Sequence, residues 1–232
     1  MVFMDEITRE MFLLHSETDE YKYAIDGSVD IVRNVLQKYN NPIISASGGK
    51  DSLVMMHMVI SQANDIPVFH WDYGRYYVPQ WIESETILQI ESVTKNIIVK
   101  TSQRYNVYKR IRANIFYKDF FGNTIKMLLE SGYDLQFVGL RKEESLKRKR
   151  KINGCFIKNG KIDECYPLLN LTWKDIWAYI VSNDLPYLTI YDKYAKLLGY
   201  DKVRFATFFD PEFDKLGASN VDGVLMPEFK HV

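Results

Sequence analysis

The segment Pro42 to Ser52, PIISASGGKDS, constrains the fold of this chain more than any other stretch. Pro42 to Ser45 is short, apolar and β-branched, the composition of a buried strand. Two glycines follow at once, and Leu53, Val54, His57 and Ile60 then recur at helical spacing. Strand, tight loop and helix in immediate succession open a βαβ unit, in which the next strand runs parallel to the first. The alternation continues downstream. Ile66 to Trp71 (IPVFHW) reads as a second strand, and Pro79 opens a helix through Trp81, Ile82, Leu88 and Ile90. Asn96 to Lys100 (NIIVK) and Leu135 to Leu140 (LQFVGL) read as the third and fourth strands. Upstream, Ile31, Val32, Val35, Leu36 and Tyr39 mark a helix ended by Asn40-Asn41-Pro42. The expected class is α/β, a Rossmann-like open parallel sheet with helices on both faces.

The pattern changes after residue 150. Phe156-Ile157-Lys158 and Lys161-Ile162 flank Asn159-Gly160, a strong two-residue hairpin signal. Thr172 to Asp175 (TWKD) is a capping box, followed by a helix with Trp173, Ile176, Trp177 and Ile180 on one face and stopped by Pro186. The expected organisation is an N-terminal helical segment over 1–40, an α/β core over 41–151, and a hairpin and helical appendage over 152–232 packed on that core.

Composition removes several classes. The 232 residues are 47% hydrophobic and 26% charged, and 30 basic residues balance 30 acidic ones. A protein that coats nucleic acid in bulk carries a basic excess, which is absent here. Two cysteines, Cys155 and Cys165, are too few for a disulfide framework, a four-cysteine zinc site or a cysteine-held iron–sulfur cluster. No apolar run approaches the roughly 18 residues of a membrane span. The first residues, MVFMDEITREMFLLHSETDE, lack the basic-then-apolar order of a signal peptide. A reduced, cytoplasmic protein with no membrane role is expected. The aromatic content, 14%, leaves room for a homo-oligomeric interface.

The glycine loop carries anion-binding chemistry. Glycine suits a backbone that must approach a ligand closely, and the first amides of the following helix carry partial positive charge that favours phosphate. Ser47 and Ser52 add hydroxyls, and Lys50 adds a cation. The loop is neither a Walker A loop, because Asp51 follows Lys50 and Ile44 stands at the first glycine position, nor a dinucleotide fingerprint, which needs a third glycine. A glycine turn with Asp51 and Ser52 as mere helix caps is the plainer alternative.

In an open parallel sheet a second site element belongs after another strand. Val138-Gly139-Leu140-Arg141 supplies one, and as a helix Arg141, Ser145 and Arg148 share a face. Residues 141–151 hold seven Lys or Arg against two Glu, so this run either forms a solvated face or meets anions, nucleic acid included. For Arg141 and Arg148 the position after a strand favours a phosphate or sulfate. His15, His57, His70 and His231 show no metal-ligand spacing, and Tyr76, Tyr77 and Trp81 either stack on a base or simply pack.

Ser-Gly-Gly-Lys-Asp-Ser resembles the pyrophosphate loop of the adenine-nucleotide alpha-hydrolase-like enzymes. With Gly139-Leu140-Arg141, Ser145, Arg148, Pro167-Leu168-Leu169, Trp173, Asp175-Ile176-Trp177, Leu185-Pro186-Tyr187 and Tyr191-Asp192 in this order, the chain is similar to the phosphoadenosine-phosphosulfate (PAPS) reductase family over about residues 40–205. The resemblance implies a pocket for ATP, PAPS or adenosine phosphosulfate (APS). It places Ser45, Ser47, Gly48, Gly49, Lys50, Asp51 and Ser52 at the nucleotide, with Trp71 and Asp72 after the second strand and Gly139, Arg141 and Arg148 after the fourth.

The family's reductases attack with a C-terminal cysteine, but Asn220 to Val232 (NVDGVLMPEFKHV) contains none. Sulfite release needs a thiolate, so reduction is disfavoured. The other chemistry that the resemblance implies for such a loop is attack on the α-phosphate of ATP with release of pyrophosphate, or the handling of PAPS or APS. Lys50, Asp51 and Arg141 are then the expected catalytic residues, and Asp51 the expected ligand of Mg2+. The acceptor substrate is open. The alternative is a nucleotide-binding accessory subunit of a nucleic-acid-modifying, phosphorothioation-like complex, with a protein partner or nucleic acid meeting residues 141–151.

Overall fold

The computed structural model describes residues 4–72, 78–101, 122–124, 126–144, 154–158 and 162–205. Strand β1 (Pro42–Ala46) lies at the centre of a six-stranded sheet, and its burial follows from its apolar, β-branched sequence. β2 (Val68–Asp72) and β4 (Leu135–Val138) flank it, both parallel to it. Ser45 sits opposite Phe69 on one side and Val138 on the other. Val68, Phe69, His70 and Trp71 are consecutive and all buried, so both faces of β2 are covered. β3 (Ile97–Thr101) extends the sheet beyond β2.

The helices between these strands begin where their sequences allow. α3 (Lys50–Ile60) starts from Gly49 with no side-chain cap, and α4 (Gln80–Val93) starts from Pro79. Before the sheet, α1 (Glu6–Ser16) is capped by the Asp5 carboxylate and α2 (Asp19–Leu36) by the Thr18 hydroxyl. α2 ends at Leu36, short of Tyr39. Tyr39 lies beyond the helix because its hydroxyl donates to Asp163 Oδ2 at 2.6 Å while its ring packs on Phe156.

The later segment is joined to the sheet by hydrogen bonds. β6 (Asp163–Cys165) pairs in parallel with β4, and β5 (Phe156–Ile157) pairs antiparallel with β6 at the edge. The hairpin register differs from the one a two-residue Asn159-Gly160 turn would impose. Phe156 faces Cys165 and Ile157 faces Glu164, and Ile162 is buried. Asp163 to Cys165 are already matched to Leu135, Gln136 and Phe137 of β4, and that central pairing sets the register. The turn residues 159–161 lie outside the described residues.

α5 (Trp173–Ser182) begins with the expected capping box: the Thr172 hydroxyl accepts from Asp175 N–H, and the Asp175 carboxylate accepts from Thr172 N–H. It stops before Pro186, where Asp184 adopts φ 49°. α6 (Ile190–Leu198) follows. Phe12 of α1 fills the space against Trp173 and Trp177 of α5. No helix of the described residues is long and apolar enough to cross a membrane.

The strand order, β3-β2-β1-β4-β6-β5, decides where a site forms. The chain lays β2 and β3 on one side of β1, then crosses to place β4 on the other. The order therefore reverses between β1 and β4, and in open α/β sheets ligands bind outside the carboxyl ends of the strands at such a reversal.

Candidate functional site

The residues that leave β1 and β4 meet where the order reverses. Gly48 has φ +79°, a conformation that side chains rarely adopt, and a Cβ there would sit 2.5 Å from Thr86 Oγ1 of α4. The turn is thus pressed against α4. Gly139 is needed for a different reason: a Cβ would meet the Asp51 backbone and Ser52 Cα at 2.9 Å. Its absence lets the end of β4 lie directly on the first turn of α3.

That contact brings the charged residues together. Asp51, Lys50 and Arg141 are all buried. Asp51 Oδ2 accepts from Lys50 Nζ at 3.1 Å, and Oδ1 accepts from Arg141 Nε. Arg141 Nη1 donates to Glu143, and Arg141 N–H to Glu144 at 3.3 Å. Glu144 in turn pairs with Arg204, 3.6 Å away. Burial pushes the Asp51 pKa up, but Arg141 and Lys50 outweigh it and hold the carboxyl below the usual range. Burial lowers the Lys50 pKa, with Asp51 opposing. For Arg141 burial works downward, yet Asp51, Glu144 and Glu143 leave the guanidinium more firmly protonated than usual.

The rest of the loop is tied by short contacts. Ser47 N–H donates to Ser52 Oγ at 3.2 Å, and Ser52 Oγ donates to Gly49 O at 2.8 Å. Lys50 N–H donates to the hydroxyl of Tyr191 at 3.0 Å. Upstream, His70 bridges Ala46 O at 2.9 Å and Glu83 at 2.8 Å, which anchors the end of β1 to α4.

Most residues expected at the site lie along this edge. Ser47 to Ser52, Gly139 and Arg141 form one cluster, and Trp71 and Asp72 end the neighbouring strand. Ser45 is turned along the sheet instead, its hydroxyl accepting from Gln136 Nε2 of β4. Arg141 is not on the helical face expected for it. It precedes a single 3-10 turn, Lys142–Glu144, because its Nε is drawn to Asp51 and Lys142 N–H is bound to Leu169 O at 2.9 Å. Arg148, Ser145, Tyr76 and Tyr77 lie outside the described residues, as does most of the basic run. Trp81 is 46% exposed on α4.

Mg2+ at Asp51 does not fit. Both carboxylate oxygens already face cations, and no group of three or more His, Cys, Asp or Glu among the described residues stands together as a metal site. The cysteines are poorly placed for attack on sulfur. Burial, with Cys155 adding to it, pushes the Cys165 thiol up to about 12, and burial also raises half-buried Cys155.

Sequence reasoning missed Tyr191, Thr86, Glu83 and Arg204 as neighbours of this cluster. Tyr191-Asp192 stood among the ordered motifs and offered a signal, whereas nothing local marks Thr86 or Arg204.

Residues 41–220 match the family model described as the phosphoadenosine phosphosulfate reductase domain. Curated relatives include "Sulfate adenylyltransferase subunit 2" of Mycolicibacterium vanbaalenii, 25% identical over 71% of this chain. The protein of that name from Rhizobium meliloti is 26% identical over 75% of this chain. The chain spans 62% and 64% of those relatives' lengths. Among solved structures, a phosphoadenylyl-sulfate reductase from Candida auris in a phosphate complex superposes with a TM-score of 0.56 at 16% identity. That alignment covers 83% of this chain and 93% of the other, and it supports the fold.

Proposed function

The chain belongs to the phosphoadenosine phosphosulfate reductase domain family, and from that premise we propose that it binds an adenine nucleotide at the β1–α3 loop and transfers its adenylyl group with release of pyrophosphate. The observation that carries this reading is the buried Asp51 carboxylate, which draws Lys50 from one side of the strand-order reversal and Arg141 from the other. Two cations held side by side beside helix amides suit an oligophosphate, and they need no reorganisation when charge builds on the leaving group. An acceptor oxyanion attacks the α-phosphorus, the bond to the bridging oxygen breaks, and the loop retains the departing pyrophosphate. Glu143, 38% exposed at its side chain, yields its place on Arg141 to the incoming phosphate.

The relatives named sulfate adenylyltransferase subunit 2 support this reaction class, with sulfate as acceptor and a protein partner as the other subunit. Thiol-dependent reduction is disfavoured by the buried, high-pKa Cys165. Calorimetric titration with ATP, ADP and PAPS, beside a pyrophosphate-release assay with sulfate, tests the reading. ATP binding that disappears in Arg141→Ala is expected, as is sulfite release that stays at background with reduced thioredoxin. A folded sample that binds no adenine nucleotide overturns it. Pyrophosphate formed only after a partner is added assigns the chain the role of one subunit.

A further inference from the structure

The hydroxyl of Tyr191 stands at the start of α3, where the reading above places a phosphate. Its oxygen accepts the Lys50 N–H at 3.0 Å, and the residue is 1% exposed. A Cβ built on Gly49 would lie 3.6 Å from the same oxygen, so the hydroxyl sits directly beside the loop. A phenol also has one O–H to donate. The Phe205 amide also hydrogen-bonds to this oxygen, so the oxygen accepts two backbone N–H groups and its O–H is the hydrogen left to direct at a ligand. Burial raises the Tyr191 pKa, so the proton remains on the oxygen at physiological pH.

The surrounding side chains fix the position of the Tyr191 ring. Trp177 meets the Tyr191 ring edge-on at 5.5 Å, and the Lys50 ammonium lies 5.7 Å from the centroid of that ring. Tyr187 and Tyr200 donate to Asp192 at 2.8 and 2.6 Å, which pins the first turn of α6 on both sides. The side chain is therefore held in place before any ligand arrives.

We propose that Tyr191 is a ligand-binding residue of the loop, its O–H donating to an oxygen of the bound di- or triphosphate while its oxygen holds the Lys50 amide. The assignment rests on the nucleotide reading above. Lys50 N–H, the Tyr191 hydroxyl and the phosphate then form a chain in which each hydrogen bond polarises the next. The first amide of α3 reaches the anion through a side chain supplied by α6.

Tyr191→Phe removes the hydroxyl and leaves the ring. Binding of inorganic pyrophosphate and of ATP is measured by calorimetry for both proteins, with thermal unfolding as a check on folding. Affinity for both anions is expected to fall about tenfold or more, the effect of losing a hydrogen bond to a charged group. Unchanged affinity overturns the proposal. Tighter binding also overturns it, because the hydroxyl would then merely occupy an amide that the phosphate needs. Should the variant fold poorly, the wild type still decides the matter: a phenol donating to an anion red-shifts tyrosine absorption, and a pyrophosphate difference spectrum without that shift overturns the proposal. Wild type that binds neither anion sinks the nucleotide reading itself, whereas wild-type binding with an indifferent Phe variant sinks only the role of Tyr191.

Discussion

Gly48 and Gly49 are neighbours of one type, and the fold uses them differently. Gly48 has φ +79° and leaves only 2.5 Å between a new Cβ and Thr86 Oγ1. Gly49 has φ −70°, and the nearest atoms to a new Cβ lie at 3.5 and 3.6 Å. Gly48→Ala is therefore expected to cost about 2–3 kcal/mol, from left-handed strain plus overpacking. Gly49→Ala is expected to stay within about 1 kcal/mol of wild type, since the methyl makes only ordinary contacts with Ser47 and Tyr191, while losing nucleotide affinity because it crowds a ligand at the loop. Urea unfolding and calorimetry read the two quantities separately. Asp51 sets a second residue-scale expectation. Its carboxyl is held below the ordinary 3.8 by Arg141 and Lys50 against burial, so its contribution is present above that value and is lost as pH falls through the lower folded pKa. Urea unfolding between pH 7 and pH 3 should therefore show this loss only below about pH 4. Asp51→Asn removes that acid branch and costs about 3–5 kcal/mol at pH 7, because two buried cations lose the carboxylate they share.

At the scale of elements, α4 is the brace of the loop. Glu83 and Thr86 lie one turn apart on it, the first holding His70 and the second abutting Gly48. His70 presents both ring nitrogens to acceptors, Ala46 O and Glu83. Burial lowers its pKa, but Glu83 more than restores it, so the folded value lies above 6.5. The stability it contributes is fully present below pH 6.5 and is lost as pH rises through the folded value. Denaturation midpoints should fall across that alkaline branch in wild type, and Glu83→Gln should flatten it. None of this brace shows in a local pattern. The strand, the glycine loop and α3 are contiguous, so their sequence reports them directly. The hairpin shows the opposite case: Asn159-Gly160 signals a tight turn, yet β6 takes its register from β4, where three residue pairs outweigh one turn.

For the whole molecule, the decisive union is between the sheet and the segment after residue 150. Trp177 gathers Phe12 from the N-terminal helix and Tyr187, Tyr191 and Tyr200 from the C-terminal part, with ring centroids between 4.9 and 6.2 Å apart. Its Nε1–H donates to Tyr200 O at 3.0 Å. Ending the chain at Pro186 removes Tyr187, Tyr191 and Tyr200, strips one side of Trp177 and leaves the Lys50 amide without its acceptor. A broad unfolding transition followed by tryptophan fluorescence is expected in place of a cooperative one. The sequence by itself determined the layered α/β class, the glycine loop after β1, and Arg141 after β4, because each is written in consecutive residues whose periodicity and backbone demands are local. Tertiary structure alone decided that Asp51 faces both Lys50 and Arg141, that α4 braces the glycine turn, and that Tyr191 stands beside it. Those partners are far apart in the chain, and only the packing of strands and helices brings their atoms within hydrogen-bonding reach.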